Sequence, residues 1–120
     1  MIGGIVTDDG VPLIVLRLAD EDWTAVVDTG FNGALELPAA LSLRLDVKPA
    51  GSVRSELASG VVVQEDVFRV RVSFDGDFVD ADVTFAEVDH VLVGTWMLLE
   101  HRLEIDFPKG TVRLSRTAEI

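Results

Sequence analysis

The sequence predicts an all-β fold, a small barrel or sandwich carrying one or two short helices. Three observations predict it. Apolar and polar residues alternate over several separate runs, tight-turn residues punctuate those runs, and helical spacing is confined to two short segments. The chain has 120 residues, 48% of them apolar. That is enough for one core and too little for two, so residues 1–120 read as a single domain.

Taken in order, Ile14, Leu16 and Leu18 alternate with Val15 and Arg17 as a half-buried strand does. The run Ala25-Val26-Val27 is a second strand that ends in Asp28. Thr29-Gly30 turn the chain, and Gly33 leads into a third strand over residues 35–37. Pro38 suits a first helical position, so residues 38–43 form one or two helical turns. Residues 49–60 are the most polar stretch and read as a mobile loop or a hairpin. Phe68, Val70, Val72 and Phe74 alternate with Arg69, Arg71 and Ser73; Val79, Ala81, Val83 and Phe85 alternate with Asp80, Asp82 and Thr84. Asp75-Gly76 between them is a type I′ dipeptide. It sets Phe74 opposite Asp77, Val72 opposite Val79 and Val70 opposite Ala81. The other face then pairs Arg71 with Asp80 and Arg69 with Asp82, both of which a one-residue slip would lose. The acidic string Asp75, Asp77, Asp80, Asp82 is thus a turn and a solvated strand face, and it lacks calcium-loop spacing. Asp20-Glu21-Asp22 reads as a solvated turn. Trp96, Leu99 and Leu103 lie at i, i+3 and i+7, so residues 95–101 form a short amphipathic helix. Leu103, Ile105 and Phe107 begin a last hairpin that turns at Pro108-Lys109-Gly110.

Composition removes several functions. Ten Lys+Arg against 21 Asp+Glu give a formal charge of −11, which repels phosphate backbones and anionic membrane surfaces. Neither a nucleic acid nor a membrane is expected as a partner. The longest apolar stretches, residues 11–16 and 91–99, fall short of the roughly 18 residues a membrane helix needs. The first ten residues lack a basic n-region and carry two Asp by position 9, unlike a secretory signal. The absence of Cys removes disulfides, thiolate zinc sites and Cys nucleophiles, and suits a cytoplasmic chain. His90 and His101 have only acidic neighbours such as Asp89 and Glu100 and no third clustered ligand, so no metal is expected, nor any cofactor. The serines lack a nucleophile-elbow glycine pattern. Trp23 and Trp96 read as core or interface anchors.

The chemistry concentrates at Asp28. A carboxylate directly after a buried strand is costly unless it is hydrogen-bonded or functional. Val27-Asp28-Thr29-Gly30 resembles the active-site signature of aspartic proteases in the small retropepsin-like form, and the bacterial branch of that superfamily in particular. Further features follow in the family's order: a flap region over residues 55–63 with Ala58, Ser59 and Gly60 at its tip, the element Leu92-Val93-Gly94, a short helix, and a closing hairpin over residues 103–114. The resemblance spans roughly residues 4–114. It implies a small closed β-barrel in which the Asp28 loop and the strand ending in Gly94 cross beneath the site.

The resemblance also implies roles. Asp28 is the catalytic carboxylate, Thr29 braces the active-site loops, and Gly30 leaves room for a substrate backbone. Ala58, Ser59 and Gly60 close over an extended peptide. Leu92, Val93 and Gly94 support the site from below, with Gly94 permitting close approach. One Asp-Thr-Gly in 120 residues means that a second carboxylate must come from a second copy, so activity requires a homodimer with the site on its two-fold axis. Phe31 stands where other members carry Ala, Ser or Thr, and Thr95-Trp96 where retroviral members carry an Arg-Asn/Asp brace. Phe31 offers no hydroxyl to a charged carboxylate, so the dyad is expected to work at mildly acidic to neutral pH. Three readings remain: an aspartic endopeptidase acting on a peptide or protein substrate, an inactive retropepsin-like module for dimerisation or peptide binding, and a small acidic β module without a cleft.

Overall fold

The computed structural model describes residues 1–117. Its strands are β1 (Ile2–Val6), β2 (Pro12–Leu18), β3 (Glu21–Val27), β4 (Leu35–Pro38), β5 (Lys48–Glu56), β6 (Val62–Phe74), β7 (Asp77–Ala86), β8 (Val91–Val93), β9 (His101–Asp106) and β10 (Thr111–Arg116). Two 3-10 helices, Ala39–Leu43 and Thr95–Leu98, complete the elements. All ten strands join one sheet in the order β5-β6-β7-β4-β8-β3-β2-β1-β10-β9. No helix among the described residues is long and apolar enough to cross a membrane.

The expected closed barrel is not formed. Among the described residues no ladder joins β5 to β9, and the sheet stays open. The sheet instead folds over so that β2 packs on β6. Face-to-face packing buries the core where a barrel would use hydrogen-bonded closure. Ile14, Leu16, Leu18, Ala25, Val27, Leu35, Leu37, Val70, Val72, Phe74, Val83, Val91, Val93 and Leu114 fill that core. The half of β5–β6 nearest its turn projects beyond it, with β5 exposed along nearly its whole length.

The central hairpin has the register that its turn dictates. Phe74 pairs with Asp77, Val72 with Val79, Val70 with Ala81, Arg71 with Asp80 and Arg69 with Asp82. Asp75 and Gly76 take φ of +51° and +85°, as a type I′ loop requires. Both cross-strand charge pairs close, at 2.9 Å and 3.2 Å.

Four local expectations are corrected. The acidic string is not uniformly solvated: the Asp75 side chain is 7% exposed, held by the Met1 ammonium at 2.5 Å and by His101 Nε2 at 3.1 Å. The turn before β3 sits at Ala19 and Asp20, both at positive φ, so Glu21 and Asp22 already belong to the strand. The helix expected over residues 95–101 stops at Leu98, and His101 opens β9. Its apolar stripe is not the buried one. Trp96 and Leu99 are exposed while Met97 and Leu98 enter the core, because a 3-10 turn repeats every three residues and presents a different face.

Candidate active site

Asp28 follows β3, and the order of the neighbouring strands fixes where it sits. β8 lies between β3, its parallel partner, and β4, its antiparallel partner. The chain from Asp28 to Ala34 must therefore pass around the end of β8. Backbone hydrogen bonds fasten it there. Asp28 N donates to Val93 O at 2.9 Å, Gly94 N to Ala34 O at 2.9 Å, Thr95 N to Phe31 O at 2.8 Å and Trp96 N to Gly33 O at 3.3 Å. Four bonds across so short a segment pair the backbone groups where the loop meets the core. They fasten the Asp28 loop to residues 93–96, the end of β8 and the start of the second 3-10 helix.

Glycine is what allows the approach. A Cβ at Gly94 would overlap the Gly33 carbonyl and stand 2.7 Å from both the Phe31 carbonyl and the Phe31 ring. A Cβ at Gly33 would lie 2.6 Å from the same ring. The Phe31 side chain thus occupies the space opened by two glycines. Its importance to this loop was not foreseen from sequence, where only its lack of a hydroxyl stood out. The repeated glycine at 30, 33 and 94 was the available signal.

The Asp28 carboxylate is half-buried and accepts the Gly30 amide at Oδ1, at 2.9 Å. Its turn is closed by Phe31 N donating to Asp28 O at 3.2 Å. A Cβ on Gly30 would stand 3.2 Å from Oδ1, so glycine keeps that oxygen uncrowded. Thr29 is exposed. Ala58, Ser59 and Gly60 form an exposed turn at the tip of the β5–β6 hairpin, closed by Gly60 N to Leu57 O and Leu57 N to Val61 O, each at 2.8 Å. Gly60 takes φ of +84°, a conformation that suits glycine.

An apolar row beside Asp28 emerges only from the register. Ile5 pairs with Leu13, Leu13 with Val26, and Val26 with Leu92. Cross-strand partners share a face. This face lies opposite the core, since Ile14, Ala25, Val27, Val91 and Val93 are buried while Leu13, Val26 and Leu92 are half-buried and Ile5 is exposed. Asp28 follows directly on the strand that carries Val26. Leu92, expected only as support from below, carries its side chain on this outer face. The two histidines stand apart, His90 with Asp89 and His101 with Asp75.

No protein-family model and no curated protein matches the sequence. Solved structures do match the fold. A retropepsin-like aspartic protease from Rickettsia conorii superposes with a TM-score of 0.67 at 19% identity, over 93% of this chain and 87% of that one. The simian foamy virus (mac) protease gives 0.57 at 19% identity, over 72% and 91%. The retroviral protease-like domain of Ddi1 from Leishmania major gives 0.52 at 16%, over 86% of each. The chain has a retropepsin-like fold.

Proposed function

We propose that the chain is one half of a homodimeric aspartic endopeptidase. The observation that carries the reading is the clamped Asp28 loop. A carboxylate on a half-exposed turn, held by a backbone amide in a loop that four backbone bonds fasten to residues 93–96, supports a chemical role over one in packing. Similarity to solved aspartic proteases supports it.

In this reading 1–120 acts as a single retropepsin-like domain, and two Asp28 carboxylates meet across a two-fold axis. At about 3 Å apart they cannot both ionise and so share one proton. The ionised carboxylate takes a proton from water, whose oxygen attacks the peptide carbonyl carbon. The protonated partner gives its proton to the carbonyl oxygen, so that a tetrahedral diol forms. As the C–N bond breaks, the carboxyl that took the water proton passes it to the leaving amine, and one diol hydroxyl returns its proton to the other carboxylate. Thr29 braces the paired loops, Gly30 admits the substrate backbone, and the tip at Ala58, Ser59 and Gly60 closes over the peptide by strand addition. The row Ile5, Leu13, Val26 and Leu92 favours hydrophobic segments of the substrate.

A peptide library tests this directly. Cleavage by the wild-type protein that vanishes in Asp28→Asn, while the dimer persists, is the expected result. Peptides that stay intact at every pH but still bind would instead assign the chain to the inactive peptide-binding module.

A further inference from the structure

Asn32 is the only asparagine in the chain, and Gly33 follows it. The pair stands in the loop that carries Asp28, and Asn32 is exposed. The peptide groups on either side are engaged. Phe31 O accepts Thr95 N at 2.8 Å, and Gly33 O accepts Trp96 N at 3.3 Å. Between these two fastened carbonyls, the Asn32–Gly33 peptide has no backbone partner at its N–H or its C=O among the described residues. Glycine at this position is dictated by packing, because a Cβ on residue 33 would stand 2.6 Å from the Phe31 ring. The same lack of a Cβ leaves the Gly33 nitrogen unshielded. An unpaired, unshielded backbone nitrogen thus lies next to an exposed side-chain amide, with a fixed anchor on each side.

We propose that Asn32 is a site of spontaneous modification: its side chain cyclises onto Gly33 N, and the product releases the Asp28 loop from residues 95 and 96. Water is the one co-reactant. Gly33 N attacks Asn32 Cγ, the Cγ–Nδ2 bond breaks, and the Gly33 amide proton departs with Nδ2 as ammonia. Water then opens the five-membered imide. Opening at Cγ leaves aspartate at position 32. Opening at the main-chain carbonyl leaves isoaspartate, whose backbone runs through Cβ and Cγ. Either product puts a carboxylate where an amide stood, in a chain already at −11. Isoaspartate also inserts one backbone bond of about 1.5 Å between the Phe31 and Gly33 carbonyls. Both carbonyls are held by their donors, and Gly33 O lies against Gly94. A longer span does not keep both bonds and that contact, so the fastening at residues 95 and 96 opens. Loss of cleavage as the protein ages rests on the proposed role of Asp28; the modification and the release do not.

Ageing the purified protein in mildly alkaline buffer tests this. Intact mass and peptide mapping follow the replacement of the amide by an acid at position 32, and enzymatic methylation of isoaspartate identifies the longer backbone. A peptide group free of the fold converts within about tenfold of the rate of the same chain in urea, because no local unfolding is needed. Hydrogen exchange at the Thr95 and Trp96 amides rises in step with isoaspartate, and the unfolding midpoint falls. Asn32→Gln, which closes only a slower six-membered imide, keeps its mass, its amide protection and its midpoint over the same period. Conversion slower than that limit overturns the site. Isoaspartate formed while Thr95 and Trp96 stay protected overturns the release. The protease reading is judged separately: fresh protein without Asp28-dependent cleavage removes it and leaves the mass and exchange results standing, whereas undiminished cleavage by fully converted protein overturns the release.

Discussion

Gly94 packs so closely against the carbonyl of Gly33 that a single methyl group at position 94 would overlap that oxygen. Both residues belong to backbone that is already fastened by hydrogen bonds, Gly94 N to Ala34 O and Trp96 N to Gly33 O. Neither side can retreat without breaking one of them. Gly94→Ala is therefore expected to destabilise the fold by at least about 3 kcal/mol, the upper range for overpacking a site that cannot relax. Gly3→Ala is the control, since nothing lies within 4 Å of a Cβ there; it should stay within about 0.5 kcal/mol. Urea unfolding of the two variants measures both. Equal midpoints would show that the Gly94 contact relaxes freely.

Asp75 links three distant parts of the chain, the Met1 ammonium, the β6–β7 turn and His101 at the start of β9. The ammonium holds its carboxyl below the usual carboxylate range; burial opposes this, and His101 adds to the lowering. A carboxyl with a folded value below its unfolded one stabilises the fold above the unfolded value, and that stabilisation is lost as pH falls through the folded one. Asp75→Asn should therefore be less stable than wild type at pH 7. The gap should close on acidification below about pH 4, the ordinary range for Asp. A gap of constant size across that window would mean that packing, not charge, holds Asp75.

The two arginine–aspartate pairs of the central hairpin contribute little by comparison. Their side chains are more than half exposed, and exposed pairs are worth at most about 1 kcal/mol. Arg71→Ala should shift the urea midpoint slightly, and the shift should shrink further in 0.5 M salt, where the screening length falls to about 4 Å. A loss comparable to that of Gly94→Ala would contradict this assignment.

That hairpin was also the most legible part of the sequence, and the reason is local. Asp75-Gly76 sets the turn type, the turn type sets the register, and alternation of Val, Phe and Arg assigns the faces. The resemblance carried by Val27-Asp28-Thr29-Gly30 was legible because it lies in four consecutive residues, and the retropepsin-like fold it implied is the one observed. What escaped depended on tertiary context. The burial of Asp75 requires Met1 and His101, 74 and 26 residues away. The outward Trp96 and Leu99 follow from a 3-10 rather than an α-helical turn, which periodicity over seven residues does not separate. The apolar row from Ile5 to Leu92 crosses four strands, one pair of them parallel, and so has no trace in linear spacing. The open sheet goes with a β5–β6 hairpin that extends beyond the core, a property of strand length and packing.

Phe31 bears on the pH response of the proposed dyad. Its ring lies against Gly33 and Gly94, and the position offers Asp28 only a backbone amide. The pH–rate profile of the wild-type protein should peak above about pH 3. Phe31→Ser supplies a hydroxyl donor to the charged carboxylate and should extend activity toward lower pH, at some cost in stability from the vacated ring. An acidic limb that stays in place would show that residue 31 does not reach the dyad.

Gly30 allows the chemistry and the stability to be separated. A Cβ at this position would stand 3.2 Å from Asp28 Oδ1, with no other heavy atom of the described chain within 4 Å. Gly30 is exposed, so the fold has little to lose, and Gly30→Ala should move the unfolding midpoint by no more than a typical surface change of about 0.5 kcal/mol. The carboxylate, however, must shift by a few tenths of an ångström or turn away from the Gly30 amide, and a substrate backbone meets a methyl group beside it. A misplacement of about 1 Å lowers turnover about a hundredfold when the reacting groups must be held in line, which bounds the loss expected from a smaller shift or a turned carboxylate. The expected result is a large fall in kcat/KM with an almost unchanged midpoint. If cleavage persists at the wild-type rate, the peptide does not pass over Gly30, and the carboxylate does not act from the position that the Gly30 amide gives it.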